Sequence, residues 1–306
     1  MEIHLFPEFG SPERRQSSKL IDLALSEDLA EFGDLTCQAL IAETAEHAVD
    51  IVARKPGVLA GLPIAEMVFA RLDPAVRFDP KCRDGNRLET GTVVATVTGR
   101  LRSLLIGERT ALNFLTHLCG IATLTCRFVD AVAGTNAVIL DTRKTLPGYR
   151  VLQKYAVRAG GGTNHRKGLY DGVLIKDNHL AAWAEFAAGA TIADAVRRAR
   201  DVSPAGVSIE VEVDTLDQLR DALAGGPDIV LLDNMDVATL GQAVAIRDAL
   251  APPARLEASG GVTLDTVAMI ARTGVDRISV GALTHSAVAL DLAFDWPKWN
   301  GVNSHS

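Results

Sequence analysis

Short apolar runs alternate with longer helical patterns from about residue 137 onward. Six runs rich in valine, isoleucine and leucine occupy residues 137–141, 172–179, 208–214, 228–234, 255–261 and 276–282. Helical patterns fill the intervals, over residues 147–159, 191–201, 215–224, 237–250 and 264–273. Strands buried on both faces have such apolar runs, and helices between them imply parallel pairing. The pattern predicts an α/β barrel or a doubly wound sheet.

The first part of the chain has a mixed pattern. Helices are predicted over residues 20–29 and 64–73, with a strand and turn over residues 47–61 between them. Residues 92–105 indicate a strand that runs into a helix. Residues 108–133 form one long helical pattern, long enough to connect two domains, with Gly120 as the candidate position of a break.

Composition and charge exclude several classes of protein. The 306 residues are 48% hydrophobic and 23% charged, which suits one large globular domain or two ordinary ones. A net charge of -7 and only 5% aromatic residues argue against nucleic-acid and anionic-membrane partners. The chain begins without a secretory signal pattern, and its four cysteines show no CxxC spacing. We therefore expect a reduced, cytoplasmic protein that does not span a membrane.

Polar residues follow each apolar run at the point where the predicted strand ends. These residues are Asp141, Arg143, Lys144, Lys176, Asn178, His179, Glu212, Asp214, Asp233, Asn234 and Ser259, and Gly260, Gly261 and Gly281 stand at the same strand ends. If the strands close a barrel, the residues meet at its carboxyl-terminal face, where barrel active sites lie. A polar residue after a strand is also a common helix N-cap. Lys176 and Glu212 fit that alternative less well, because a charge beside an apolar run is costly unless it is paired.

One segment concentrates positive charge in this acidic chain. From Arg143 to Lys167 there are seven lysines and arginines, one histidine and no acidic residue. The helix predicted over residues 147–159 places Arg150, Lys154 and Arg158 on a solvated face, whereas the other cations fall in loops. Loop arginines and lysines beside the glycines at 160–162 are typical of a site for a polyanion. Glu212 and Asp233 are candidate ligands for a Mg²⁺ ion that accompanies such a substrate.

The sequence from Asp141 to His179, DTRKTLPGYRVLQKYAVRAGGGTNHRKGLYDGVLIKDNH, resembles the quinolinate phosphoribosyltransferase family. The blocks EDLAEFGDLT, ERTALNFLTHLCGIAT, IEVEV, LLDN, ASGGV and GVDRISVGALTHSAVALDL are similar to those of the family and stand in the same order. The departures are small: Leu146, Cys119 and Asp177 stand where the family often has threonine, serine and glutamate. None of the three removes a charged residue of the predicted site.

The resemblance implies a fold and an activity. The implied fold is an incomplete, seven-stranded α/β barrel over residues 119–285 and an N-terminal α/β sandwich domain over residues 1–118, on which residues 286–306 pack. The implied reaction converts quinolinate and phosphoribosyl pyrophosphate to nicotinate mononucleotide, pyrophosphate and CO₂, with Mg²⁺, in the de novo synthesis of NAD. The resemblance further implies a homodimer or a larger oligomer, in which Arg109 completes the site of a neighbouring subunit.

The resemblance also assigns roles to residues. The implied substrate contacts are Arg109, Arg143, Lys144, Thr145, His165, Arg166, Lys176, Glu212, Asp233, Ser259, Gly260, Gly261, Ser279, Val280 and Gly281. Within this set Lys144, Lys176, Glu212 and Asp233 are the expected catalytic residues, and Glu212 and Asp233 are the expected Mg²⁺ ligands. Arg109 enters only through the resemblance, since its position on a helix would otherwise suit a surface residue.

Two other functions fit parts of the pattern. A related type II phosphoribosyltransferase, either nicotinate-using or ModD-like, would share the fold, but the ModD-like branch departs in the NHRKGLYD and IKDNH blocks that this chain retains. A non-catalytic phosphate-binding barrel would serve as a sensor, and it predicts the loss of charged residues at strand ends. Those residues are all present, so the sequence favours the enzyme.

Overall fold

The computed structural model describes residues 7–251 and 253–296, which form two compact units. The first unit contains the chain up to Thr123, then Val151–Gly160, and then the chain from Ala287 onward. The second unit contains Leu124–Arg150 and Gly161–Ser286. The family resemblance predicts that residues 1–118 and 286–306 share a domain. Parts of these two segments, residues 1–6 and 297–306, lie outside the described residues.

The first unit is built on an antiparallel sheet. Its elements in chain order are α1 (Ser11–Leu29), α2 (Leu35–Leu40), β1 (Glu46–Ala53), β2 (Gly57–Val58), α3 (Leu62–Leu72), β3 (Arg77–Pro80), β4 (Arg87–Leu88), β5 (Val93–Arg100) and α4 (Leu101–Ala131). The edge strand of the sheet, β12 (Leu292–Asp295), comes from near the carboxyl end of the chain and pairs with β1. The sheet has four strands in the order β12-β1-β5-β3. Alternate residues of β1 and β5, such as Ile51 and Val97, are fully buried and form the core of this unit.

Helix α4 runs without a break through Gly120, contrary to the candidate break position. A side chain at this position would place its Cβ 2.3 Å from the carbonyl oxygen of Val288, so the glycine serves close packing of backbone. By length and composition α4 could cross a bilayer, but most of its apolar stretch is buried within the protein. Burial of this kind is what a core helix shows.

The second unit is a parallel barrel with one opening. Its strands are β6 (Val138–Leu140), β7 (Val173–Ile175), β8 (Ile209–Val213), β9 (Ile229–Asp233), β10 (Arg255–Ser259) and β11 (Arg277–Ser279), and they match the six predicted runs. The order is β6-β11-β10-β9-β8-β7, so the first strand pairs with the last and the sheet must curl round. The opening lies between β6 and β7, where Thr163 adds one parallel bridge to Leu140. This architecture confirms an α/β fold with a partial barrel, but the sheet has six strands among the described residues where seven were expected, because the segment at Thr163 adds only a single bridge.

The predicted helices of this part of the chain are also present. They are α5 (Arg150–Ala159), α7 (Ile192–Val202), α8 (Leu216–Ala224), α9 (Val237–Leu250) and α10 (Val267–Arg272). Thr191, Thr215 and Asp236 cap three of them by accepting hydrogen bonds from backbone N–H groups of the first turn. Two short helices were not predicted, α6 (Asp177–Ala184) and α11 (Ala282–His285).

Helix α5 contradicts one prediction. Lys154, expected on a solvated face, is only 2% exposed. Arg150 and Arg158 are half-buried: Arg158 pairs with Glu13 at 2.9 Å, and Arg150 donates to Thr145 Oγ1 and to the carbonyl oxygen of Lys167. The prediction was wrong because a charge does not show which face of a helix is covered. The long aliphatic stems of lysine and arginine can pack against other residues and be buried.

Candidate active site

The carboxyl ends of the barrel strands bring together Lys176 and Glu212. Strands β7 and β8 pair with Ile175 opposite Val211, so the two following positions lie side by side. The Lys176 ammonium forms a close ion pair with Glu212 Oε2, and the Glu212 side chain is only 10% exposed. A carboxylate this buried is tolerated because the ammonium compensates it. The pair confirms the expectation, drawn from the cost of burial, that neither charge stands alone.

Asp233 is held beside this pair by the ends of β9 and β10. Asp233 lies opposite Ser259, and its carboxylate accepts a hydrogen bond from Asn234 Nδ2 at 2.7 Å. Gly260 has a positive φ of 93°, and a Cβ there would lie 2.1 Å from Asn234 Oδ1. Only glycine therefore allows the amide of Asn234 to orient the carboxylate. Gly261, with φ of 59°, continues the exposed turn after the strand.

The loop after β6 carries Arg143, Lys144 and Thr145. The carbonyl oxygen of Lys144 accepts a hydrogen bond from the Thr284 hydroxyl at 2.7 Å. The N–H of Val280 donates to the carbonyl oxygen of Leu140 at 2.9 Å, which extends the pairing of β11 with β6. This pairing places Ser279, Val280 and Gly281 next to the loop. The predicted residues at the ends of the first and last barrel strands therefore lie together.

Two guanidinium groups of this unit have buried hydrogens without a partner. Among the described residues, the Nε atoms of Arg143 and Arg166 are buried and make no hydrogen bond. Burial lowers the pKa of Arg166, and the nearby positive charge of Arg143 lowers that pKa further. Arg166 Nη1 donates to the carbonyl oxygen of Gly172 at 2.9 Å, which fixes one edge of the group. Two neighbouring cations with unsatisfied buried donors form a site suited to an anion.

His165 lies in the barrel interior with both ring nitrogens occupied. Its Nε2 atom is 3.2 Å from Glu210 Oε2 and 3.4 Å from Glu257 Oε1. Its Nδ1 atom accepts a hydrogen bond from the N–H of Arg166 at 2.8 Å. The ring is 9% exposed, so the structure places this predicted substrate contact in internal contacts.

The charge of the His165 ring reflects opposing influences. Burial lowers the pKa of His165, but the hydrogen bonds and negative charges of Glu210 and Glu257 outweigh burial and raise the pKa to about 9. The hydrogen bond from Arg166, in contrast, requires Nδ1 without a proton. A proton at Nδ1 and the Arg166 N–H therefore compete for one position. A single proton on Nε2 lies beside the two carboxylates and leaves Nδ1 able to accept the Arg166 N–H.

The backbone around His165 is anchored by Asp141, which is fully buried. One carboxylate oxygen of Asp141 accepts from the N–H of His165 at 2.8 Å, and the other accepts from Asn164 Nδ2 at 2.7 Å. Since Asp141 directly follows β6, it fixes the segment 164–166 to the end of that strand. The loop that carries Arg143 and the segment that carries Arg166 consequently share one anchor.

A cavity of about 260 Å³ lies at the amino ends of the barrel strands and is partly lined by His165, Arg166 and Glu210. Arg255 and Arg277, at the first positions of β10 and β11, add positive charge to its wall. The cavity lies at the opposite edge of the sheet from Lys176 and Asp233, so we do not assign the reaction to it.

His165, Glu210 and Glu257 together present three donor atoms within 4.8 Å of one another. Donors of this kind bind transition metals. However, Arg277 Nε donates to Glu257 Oε2 at 2.7 Å, and the positive charge of Arg166 acts on Glu210. These guanidinium groups supply the positive charge that a metal ion would bring, so the negative charges of Glu210 and Glu257 are balanced by protein groups.

The cluster contains residues that the sequence analysis missed. Glu210, Glu257 and Arg277 lie within apolar strands, whereas the candidates were taken from the strand ends. The signal was present, because the rule that singled out Lys176 and Glu212 applies equally to any charge inside a buried strand. Glu210 and Glu212 alternate along β8, which places both on one face of the strand.

The remaining predicted residue, Arg109, is exposed on α4 and belongs to the first unit. The three departures from the family pattern have local explanations. Cys119 is fully buried, and its sulfur accepts a hydrogen bond from the N–H of Ala60 at 3.2 Å. Asp177 begins α6 and accepts from the N–H of Asn178, while Leu146 is half-exposed.

Comparison with known proteins gives consistent similarities over nearly the whole chain. Residues 34–119 match the family profile described as quinolinate phosphoribosyl transferase, N-terminal domain, and residues 121–295 match the corresponding C-terminal domain. The nicotinate-nucleotide pyrophosphorylase [carboxylating] of Mycobacterium leprae is 48% identical over 277 residues, which are 89% of this chain and 94% of that protein.

Similarities extend to a plant relative and to a solved structure. The quinolinate phosphoribosyltransferase [decarboxylating] 1b of Nicotiana tabacum is 40% identical over 290 residues, which cover 90% of this chain and 80% of that protein. The crystal structure of NadC from Streptococcus pyogenes superposes with a TM-score of 0.86 at 38% identity, and the match covers 94% of this chain and 97% of that one.

Proposed function

This chain belongs to the quinolinate phosphoribosyltransferase family, and we propose that it makes nicotinate mononucleotide from quinolinate and phosphoribosyl pyrophosphate. The reaction releases pyrophosphate and CO₂, and its product enters the synthesis of NAD. The chain is thus a phosphoribosyl-transferring enzyme that also decarboxylates its acceptor, as the names of its relatives state for them.

The observation that carries the proposal is that Arg143 and Arg166 each have a buried Nε–H without a hydrogen-bond partner among the described residues. Quinolinate has two adjacent carboxylates on a pyridine ring, and arginine offers a planar fork that matches a carboxylate. Binding of this dianion satisfies both buried Nε–H groups and removes the repulsion between the two cations. Lys144, on the loop that carries Arg143, supplies positive charge to either substrate.

The acidic residues at the strand ends suit the other substrate. Asp233 and Glu212 each have one carboxylate oxygen without a hydrogen bond or ion pair to any described residue. Mg²⁺ prefers one or two carboxylates together with substrate phosphates, so these oxygens fit the ion. When bound, Mg²⁺ would neutralise phosphate charge on the leaving pyrophosphate. The Lys176 ammonium, paired with Glu212, holds that carboxylate at the same end of the barrel.

The chemistry requires little beyond positioning and charge. The bond from the ribose C1 atom to pyrophosphate breaks, and the pyridine nitrogen forms the new bond to C1. Positive charge that develops on the sugar is stabilised by the carboxylates of Glu212 and Asp233. The bond from ring C2 to its carboxylate then breaks, CO₂ leaves, and a proton replaces it at C2. The cationic ring nitrogen stabilises the carbanion, so no covalent enzyme intermediate is needed.

Arg109 serves this site in a proposed homodimer, by reaching the site of the neighbouring subunit. Its exposure and its cationic charge suit a contact with a substrate carboxylate. A C2 dimer presents each Arg109 to the other protomer, so both sites are completed by the same contact.

The direct test follows both products. Purified protein with quinolinate, phosphoribosyl pyrophosphate and MgCl₂ should release CO₂ and nicotinate mononucleotide in equal amounts. Arg143→Met should abolish both, whereas Arg197→Met, which removes an exposed arginine of α7, should leave both unchanged. Turnover of nicotinate in place of quinolinate would assign the chain to the non-decarboxylating branch. Inactivity of the folded protein with either acid would support the sensor alternative.

A mixing experiment tests the shared site. Arg109→Ala and Lys176→Ala proteins should each be inactive alone. If subunits exchange, an equal mixture contains heterodimers with one intact site, and about a quarter of wild-type activity should return. A mixture that exchanges subunits but stays inactive would show that Arg109 acts within its own chain.

A further inference from the structure

We propose that Glu210, Glu257 and Arg277 are positioning residues for quinolinate, and that the His165 ring is the spacer through which they hold Arg166. The inference rests on the proposed function, since it assumes that Arg166 binds a carboxylate of that substrate. No substrate contact is assigned to the three residues themselves. They lie inside the strands β8, β10 and β11, and the exposed fractions of Glu210 and Glu257 are 4% and 0%.

Two buried carboxylates beside a site for a dianion need an explanation. They repel the substrate, and burying them is costly unless they are compensated. Their negative charge is nevertheless useful to Arg166, because Glu210 offsets part of the loss in that guanidinium's pKa caused by burial and by Arg143. The carboxylates thus make it less costly to keep two like charges close together before the substrate binds.

The arrangement also keeps the carboxylates away from the guanidinium hydrogens. Glu210 and Glu257 contact His165 Nε2, and no hydrogen bond joins either of them to Arg166 among the residues described. A direct ion pair would occupy the donors that the substrate needs, as it does where Arg277 binds Glu257. The imidazole ring prevents this by standing between the carboxylates and Arg166.

The ring transmits position as well as charge. Its Nε2 side is hydrogen-bonded to Glu210 and lies 3.4 Å from Glu257 Oε1, and its Nδ1 side accepts the N–H of Arg166 at 2.8 Å. Asp141 fixes the N–H of His165 on the preceding peptide. A change at Glu257 or Glu210 releases the ring and, with it, the peptide from which the Arg166 side chain extends.

Substitutions at the carboxylates separate this role from general stabilisation. Glu210→Gln and Glu257→Gln should raise KM for quinolinate by about 10-fold to 100-fold, and should change KM for phosphoribosyl pyrophosphate by less than about threefold. The groups that face His165 are Glu210 on β8, Glu257 on β10 and Asp141 after β6, with Arg277 on β11 behind Glu257. All of them except the replaced carboxylate stay unchanged in each variant.

Asp276→Asn is the matched control. Asp276 accepts from the buried Arg247 at 2.7 Å and from the N–H of Leu256, so it is another barrel carboxylate in an ion pair. This variant should lose stability and keep both KM values within about twofold. Equal changes in the two KM values, or a quinolinate KM that does not move in either Glu variant, would overturn the proposal.

The ring itself supplies a second measurement if a Glu variant fails to fold. Gln at position 165 can accept the Arg166 N–H and donate towards the carboxylates, whereas leucine of similar size can do neither. His165→Gln should therefore retain at least about 10 times more quinolinate affinity than His165→Leu, measured by calorimetry. Equal losses in the two variants would show that His165 contacts the substrate directly. Failure of the proposed function is separate, because wild-type protein would then bind no quinolinate at all.

Discussion

Two arginines of the same barrel, the buried Arg247 and the half-buried Arg166, differ in how their hydrogens are used. Arg247, on α9, donates to Asp276 at 2.7 Å, to Asp248 at 2.6 Å and to the carbonyl oxygen of Ala254. Burial lowers the pKa of Arg247, but its bonds to Asp248 and Asp276 outweigh burial and raise it. Arg166 has one bonded edge, a buried Nε–H without a partner and a lowered pKa. Partial loss of solvent acts to lower the pKa of both groups, so their hydrogen-bond partners distinguish the structural arginine from the one proposed to bind substrate.

The largest expected effect separates the two arginines by activity. Arg166→Met should lower kcat/KM for quinolinate by roughly 1000-fold or more, because the charge-assisted hydrogen bond to a quinolinate carboxylate is lost both in the bound state and in the transition state. Arg247→Met should lower it by less than about threefold. Steady-state kinetics at constant phosphoribosyl pyrophosphate measures both. Comparable losses in the two variants would remove the distinction.

The next effect concerns the ring that keeps acidic groups away from Arg166. Burial lowers the pKa of His165, but Glu210 and Glu257 outweigh burial and raise it to about 9, whereas the Arg166 N–H needs an Nδ1 atom without a proton. A charged ring would stabilise the protein below pH 6.5 and would lose that stabilisation as the pH rises through 9. We expect the Arg166 N–H to keep Nδ1 unprotonated, so urea unfolding at roughly pH 6 and pH 9.5 should show equal losses of stability in the wild type and in His165→Gln. A larger loss in the wild type would mean that the ring is charged and does not accept the Arg166 N–H.

Stability should rank the two arginines in the opposite order from activity. Arg247→Met leaves Asp276 without its cation, and because Asp276 is one-third exposed we expect a loss of about 2 kcal/mol in the free energy of unfolding. Arg166→Met removes a repelling charge and should cost less than about 0.5 kcal/mol. Chemical unfolding at pH 7 without substrate tests this. A larger loss for Arg166→Met would show that it also has a structural role.

The smallest effect concerns the loop that carries the other guanidinium of the site. Thr284→Val removes the hydroxyl that donates to the carbonyl oxygen of Lys144 at 2.7 Å. One neutral hydrogen bond contributes about 1 kcal/mol, so kcat/KM should fall about fivefold. Thr273→Val, which removes a comparable hydroxyl bond to Ile270 on α10, is the control and should leave kcat/KM unchanged.

Much of the barrel could be predicted from the sequence, because its strands are apolar runs separated by capped helices. The cost of an isolated buried charge singled out Lys176 and Glu212 as candidates, and the structure shows that they pair with each other. The same rule was not applied inside the strands, so Glu210, Glu257 and Arg277 were missed. Lys154 was placed wrongly because the side of α5 that is covered depends on contacts distant in sequence. Arg109 required the resemblance to a family, since no local pattern marks it.

The pairing of β12 with β1 has a consequence for how the protein is made. Residues 292–295 complete the sheet of the first unit, and Val151–Gly160 also belong to that unit. On the ribosome the first unit therefore stays incomplete until the whole barrel has been synthesised, and the edge of β1 that β12 covers remains unpaired for that time. The barrel can form its neighbouring strand pairs in order as the chain emerges, so a strand translated after the barrel completes a sheet whose other strands were translated before it.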